Sequence, residues 1–128
     1  GTLADAVNQG EHLTPILIGN HAEQGDQLAM NLIMETADWL AIGIVTLMHT
    51  IDPSAIILGG AMTFGRDENP IGRAFLDRID TSVRRRTFPT LAKKTALRFA
   101  SLGGNAGSIG AAGLGRLTWK QENSQTHA

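Results

Sequence analysis

The sequence predicts an α/β domain with an incomplete parallel sheet, and three observations carry that reading. Two short apolar stretches, 55–58 and 95–102, each run out into Gly-Gly, and helical patterns lie before, between and after them. The order is helix, strand, helix, strand, helix, which favours parallel pairing with right-handed crossovers. Two strands alone leave both sheet edges open, so further strands or a partner are expected.

The elements follow in chain order. Residues 2–9 and 13–24 read as short helical pieces broken by Gly10 and Gly25. Asp26 sits where a helix N-cap belongs, and apolar residues at 28, 32, 33, 37, 40, 41, 44, 47 and 48 keep returning to one helix face. Only Glu35 and Asp38 are charged between Gln27 and Ile51, so this helix is expected to be covered on more than one side. Gly43 within it suggests a close neighbour, since a mid-helix glycine costs about 1 kcal/mol against alanine. Asp52-Pro53 stops the helix, because the residue before proline is pushed out of the helical region.

Ala55-Ile-Ile-Leu58 then reads as a short buried strand ending in the Gly59-Gly60 turn. Asn69-Pro70 opens the next helix, with Ile71, Phe75, Ile79 and Val83 as its stripe, and Phe88-Pro89 closes it. Residues 95–102 alternate as a second strand, with Leu97, Phe99 and Ser101 on one side. Gly103-Gly104 follows, and Asn105 is the expected N-cap of a smooth-faced helix whose small residues at 107, 110, 111 and 113 permit close approach. The single α/β domain is thus placed at 1–119, with a polar, frayed tail at 120–128.

Composition narrows the chemistry. With no cysteine in 128 residues, disulfides, zinc-thiolate sites and cysteine nucleophiles are excluded. The most apolar span, Trp39 to Ile51, is shorter than the roughly 20 residues a bilayer requires. No membrane segment is expected, and the first twenty residues lack the basic flank and apolar core of a signal peptide. Net charge is only −1, yet all 11 Lys and Arg lie at or after Arg66 while seven of the 12 acids precede it. The cluster Arg84, Arg85, Arg86, Lys93, Lys94 and Arg98 has little aromatic interleaving, so a solvated or partner-facing helix end is expected rather than a nucleic-acid surface.

The glycine turns are the candidate site. A Walker-type loop fails, because the spacing from Gly60 to Gly65 is followed by Arg66-Asp67 instead of Lys-Ser/Thr. Neither turn supplies the G-x-G-x-x-G dinucleotide fingerprint. Two readings stay open from the residues. Paired glycine turns beyond the carboxyl ends of neighbouring strands form a floor for an adenine nucleotide, or they serve only tight turns and close helix packing. His12, His21, His49 and His127 have no metal-ligand spacing, and Asp52, Asp77 and Asp80 pair with no nucleophile, so no catalytic residue is nominated.

Five motifs in order add a resemblance. Gly25-Asp26, Trp39-Leu-Ala-Ile-Gly-Ile44, Ile51-Asp-Pro-Ser-Ala-Ile-Ile-Leu-Gly-Gly-Ala61, Arg84-Arg-Arg-Thr-Phe-Pro89 and Leu102-Gly-Gly-Asn-Ala-Gly-Ser-Ile-Gly-Ala-Ala112 resemble the C-terminal part of the ROK family of repressors, open reading frames and sugar kinases, over about residues 13–117. The resemblance implies the C-terminal lobe of an actin-like, ribonuclease-H-like ATPase fold. In glucokinase-like members it implies transfer of the ATP γ-phosphoryl group, with Mg, to a hexose such as glucose. It places Gly59, Gly60 and Ala61 beside the adenosine and α-phosphate, and has Gly103, Gly104 and Asn105 begin the helix that connects the lobes. Asn105 stands where relatives often carry an acid.

The family's phosphate-binding glycine motif, catalytic aspartate, Glu-His sugar contacts and zinc loop would fall before Gly1. The chain alone is therefore expected to be inactive, as the lobe of a cytoplasmic, homo-oligomeric kinase. Alternative readings are the effector-domain piece of a sugar-responsive repressor, the one case that would bring nucleic acid in, and a non-catalytic dimerisation module.

Overall fold

In the computed structural model, which describes residues 1–125, the chain is a mixed, helix-rich α/β structure. Its elements are α1 (Leu3–Asn8), α2 (Pro15–Glu23), α3 (Gln27–Ile51), β1 (Ala55–Leu58), α4 (Pro70–Arg86), α5 (Pro89–Lys94), β2 (Ala96–Phe99) and α6 (Ala106–Gln125). Single 3₁₀ turns at Arg66–Glu68 and Gly103–Asn105 precede α4 and α6. The strands pair parallel, from Ala55 opposite Ala96 to Leu58 opposite Phe99. Only this two-stranded sheet occurs among the described residues.

The core lies between α3 and α4. Ala29, Ile33, Ala37, Ala41, Ile44 and Met48 form the buried stripe of α3, and three alanines there let α4 bring Ile71, Phe75, Ile79 and Val83 close. Phe99 of β2 joins them, and Ile56 and Leu58 of β1 pack at the margin. Bidentate bonds from Arg78 to Asp38, at 3.0 and 2.7 Å, fix the two helices across their exposed edge and hold the Asp38 carboxyl below its usual range.

Asp26 caps α3 and does more than cap. One carboxylate oxygen accepts the Ala29 amide at 3.0 Å, and the other accepts the Leu3 amide at 2.7 Å, tying α1 to the start of α3. The amides of Leu3 and then Ala29 hold its carboxyl below the ordinary range. A group whose folded value is depressed stabilises the fold above its unfolded pKa, near 3.9, and that contribution is lost as pH falls through the folded value. Asp26→Asn turns an amino group toward the Leu3 donor. The variant is expected to melt several degrees lower at neutral pH and to lose less stability on acidification to about pH 3 than the wild type does. Thermal melts at both pH values check this; parallel curves would contradict it.

Several expectations are corrected. The stripe of α3 is buried on one side only, and Trp39 is 68% exposed, with Ile42, Leu47 and Ile51 also exposed. Its length and composition meet those of a membrane-crossing helix, although its inner stripe belongs to the core. Nothing approaches Gly43; the close approach is at Gly72, where an added Cβ would lie 2.2 Å from the Arg66 carbonyl oxygen. Asp52 ends α3 as expected, leaving the right-handed helical region for the left-handed one at φ 45°. Its carboxylate is matched by the Lys94 ammonium at 2.7 Å.

Helix α5 was not foreseen, and Ser101 falls beyond β2. Helix α6 continues without a break through Lys120 to Gln125; the expected tail residues 126–128, His127 among them, lie outside the described residues. Residues 101–124 are all exposed, and among the described residues nothing stands within 4 Å of a Cβ added at Gly107, Gly110 or Gly113, so the small face packs against no neighbour there. The basic cluster is partly neutralised internally: Arg84 pairs with Asp80 at 2.7 Å and also donates to the Ala92 carbonyl.

Candidate functional site

The two glycine turns lie side by side at the carboxyl ends of the paired strands. The ladder runs one step past the sheet, with the Ala100 amide donating to the Leu58 carbonyl at 2.7 Å. A Cβ on Gly59 would meet that of Ala100 at 3.5 Å, so the turns start in contact. They then part around a cleft of about 350 Å³ lined by Gly59, Gly60, Thr63, Arg66, Ala100, Gly103 and Gly104. Gly60 at φ 87° and Gly103 at φ 55° hold conformations that side chains strain, and nothing stands within 4 Å of a Cβ on Gly60 or Gly104. The floor is bare backbone open to a ligand.

Of the residues nominated from sequence, Gly59, Gly60, Gly103 and Gly104 come together here. Ala61 instead lines a neighbouring hollow of about 180 Å³ with Thr63, Phe64 and Asn69. Asn105 closes the 3₁₀ turn, exposed, while the Asn105 amide bonds the Leu102 carbonyl at 3.2 Å. A larger hollow of about 540 Å³ lies between Gly1–Ala4 and His21–Leu28, but both oxygens of its acid, Asp26, are spent on backbone amides.

Sequence reasoning missed Arg66, the cation of the cleft. Its signal was modest: it is the first basic residue of the chain, one step after Gly65. Phe64, Gly65 and Arg66 all have positive φ, at 48°, 80° and 57°. For the two non-glycine residues this costs about 1–3 kcal/mol each, and surrounding contacts must over-determine it. Phe64 stacks edge-on against Phe75 with centroids 5.0 Å apart, and a Cβ added at Gly19 would stand 3.5 Å from its ring. The Arg66 amide donates to the Thr63 carbonyl at 2.8 Å, and Gly72 leaves room for the Arg66 backbone. From there the guanidinium reaches across the cleft, donating to the carbonyls of Ala100 at 3.3 Å and Ser101 at 3.4 Å.

Chemically the cleft is poor in catalytic groups. The lining residues include no carboxylate, imidazole or thiol, so they offer neither a general base nor a ligand set suited to Mg²⁺. No metal-holding group of side chains occurs among the described residues. What the cleft does offer is free backbone at two turns, with one guanidinium bonded across it to the Ala100 and Ser101 carbonyls, a set that fits a ligand approaching the backbone closely.

Comparison with known proteins places the chain. A model of the ROK family matches residues 1–117. The chain belongs to the ROK family. Over 109 residues it is 34% identical to a glucokinase of Streptomyces coelicolor, a match covering 84% of this chain and 31% of that protein. A xylose repressor of Caldicellulosiruptor bescii is 26% identical over 78 residues, covering 61% of this chain and 18% of the repressor. A crystal structure of a candidate sugar kinase from Cytophaga hutchinsonii superposes with a TM-score of 0.69 at 24% identity, covering 85% of this chain and 34% of that one, which supports the fold. This ROK chain thus spans about a third or less of the length of the curated relatives it matches.

Proposed function

We propose that this chain is the nucleotide-contacting, C-terminal lobe of an ATP-dependent ROK sugar kinase with an actin-like fold. The observation that carries the reading is the cleft itself: bare glycine backbone at the carboxyl ends of two adjacent parallel strands, the place where open α/β sheets take their ligands. Gly59, Gly60, Gly103 and Gly104 form the floor under the nucleotide, and Ala61 and Asn105 flank it. ATP supplies the phosphoryl group, and Mg²⁺ rides on its phosphates, since the cleft has no carboxylate to hold the metal.

Phosphoryl transfer depends on positioning and charge stabilisation. This cleft contributes the first, for one end of the nucleotide; a base for the sugar hydroxyl is not among its residues. The chain alone is therefore inactive, and a hexose such as glucose meets its binding groups elsewhere in a cytoplasmic parent. Exposed apolar residues on α3 and α6, Trp39, Ile51, Leu114 and Trp119 among them, suit a lobe that is covered by the rest of such a kinase or by a second copy.

Isothermal titration of the chain with ADP tests the reading. One ADP per chain is expected to bind; absence of heat at millimolar ADP would favour a non-catalytic dimerisation module. The match to a xylose repressor favours a second reading, the effector domain of a sugar-responsive repressor. A DNA-binding segment encoded upstream would decide for it, and an upstream catalytic aspartate for the kinase.

A further inference from the structure

We propose that Arg66 is the clasp of the cleft, a positioning residue that ties the turn after β1 to the turn after β2 and so sets the width of the floor between them. The second half of this inference, that the width matters for nucleotide, rests on the reading above.

The sheet by itself specifies the spacing of the two turns poorly. Each strand has four residues, and beyond the Ala100 amide no further ladder bond joins the chain segments. Past that point Gly60, Gly103 and Gly104 have no side chains with which to hold a distance. Arg66 is the lining residue that reaches over: its Nη1 bonds both the Ala100 and Ser101 carbonyls, and lies 3.6 Å from where a Cβ on Gly103 would stand. Nη1 carries two N–H groups, one for each of the adjacent carbonyls, and a charged donor strengthens each bond.

The backbone beneath it is strained for that purpose. Three consecutive positive-φ residues aim the side chain inward, anchored on one side by Phe64 against Phe75 and on the other by the absent Cβ of Gly72. A loop serving only to join β1 to α4 has no need of this run. Strain held in place by packing marks a residue whose direction matters. Glu68, 3.7 Å from Nε, is 73% exposed and competes weakly for the charge.

Amide hydrogen exchange and nucleotide titration of Arg66→Gln and Arg66→Lys test the clasp. In Arg66→Gln, exchange is expected to accelerate by about tenfold at 100–105 as well as at 59–68, while the α3 stripe stays protected; Arg66→Lys should restore part of it. Acceleration confined to 63–68 would overturn the proposal. With nucleotide, affinity for ADP and for adenosine should fall together, because a distorted floor serves both. A fall for ADP alone would make Arg66 a direct phosphate ligand and overturn the positioning role. If both turns loosen yet no form of the protein binds ADP, the clasp stands and the nucleotide reading falls.

Discussion

Gly72→Ala is expected to destabilise the fold by about 2–3 kcal/mol, against the usual gain of putting alanine into a helix. The added Cβ would stand 2.2 Å from the Arg66 carbonyl oxygen, 2.7 Å from its amide nitrogen and 2.9 Å from its carbonyl carbon. All three are backbone atoms, so no rotamer change relieves the clash. Either α4 retreats from the Phe64–Arg66 turn or that turn abandons its left-handed run. The first opens the core around Ile71 and Phe75; the second swings the Arg66 guanidinium out of the cleft. Chemical denaturation measures the loss, and a variant as stable as the wild type would show that the approach of α4 to the turn is not close in solution.

Phe75→Ala carries the largest expected loss, about 3–5 kcal/mol. Phe75 is fully buried, the central side chain of the α4 stripe, and it is packed against the alanine-lined face of α3. Its removal leaves a cavity that rigid helices fill poorly, and it takes away the ring on which Phe64 rests. The loss should therefore appear in two places. Equilibrium unfolding shifts, and amide exchange at 63–68 accelerates beyond what global destabilisation explains. Should exchange there merely follow the global change, Phe64 would not be what holds the strained turn.

The frame of the fold was legible because its signals are local. Asp26 and Asn69-Pro70 cap their helices where expected, and Ile71, Phe75, Ile79 and Val83 are all buried. The Ala55–Leu58 strand and its glycine exit are also where the apolar run placed them, although the strand alternates instead of being buried throughout, with Ile57 58% exposed. What escaped the sequence depends on segments meeting across the chain. Gly43 and Gly72 look alike in sequence, and only the approach of the Phe64–Arg66 turn distinguishes them. The second bond of Asp26, to Leu3, joins residues 23 positions apart. Helix α5 is a proline-led helix of only six residues, too short for periodicity to register.

The candidate site divided along the same line. Strand-end glycines pointed to Gly59, Gly60, Gly103 and Gly104, and these four line one cleft. Ala61 turned away because the chain bends after Gly60, at φ 87°, toward the hollow it shares with Phe64 and Asn69. Arg66 went unnoticed because its part is set by three successive positive φ angles, of which only Gly65 advertises its own.

The measurement closest to the central claim is a map of backbone amide shifts on titrating the chain with ADP. Saturable shifts are expected at Gly59, Gly60, Gly103 and Gly104, with Arg66 responding alongside them and the hollow between α1 and the start of α3 silent. Shifts gathered at Gly1–Ala4 and His21–Leu28, or none at the glycine turns under saturating ADP, would contradict it.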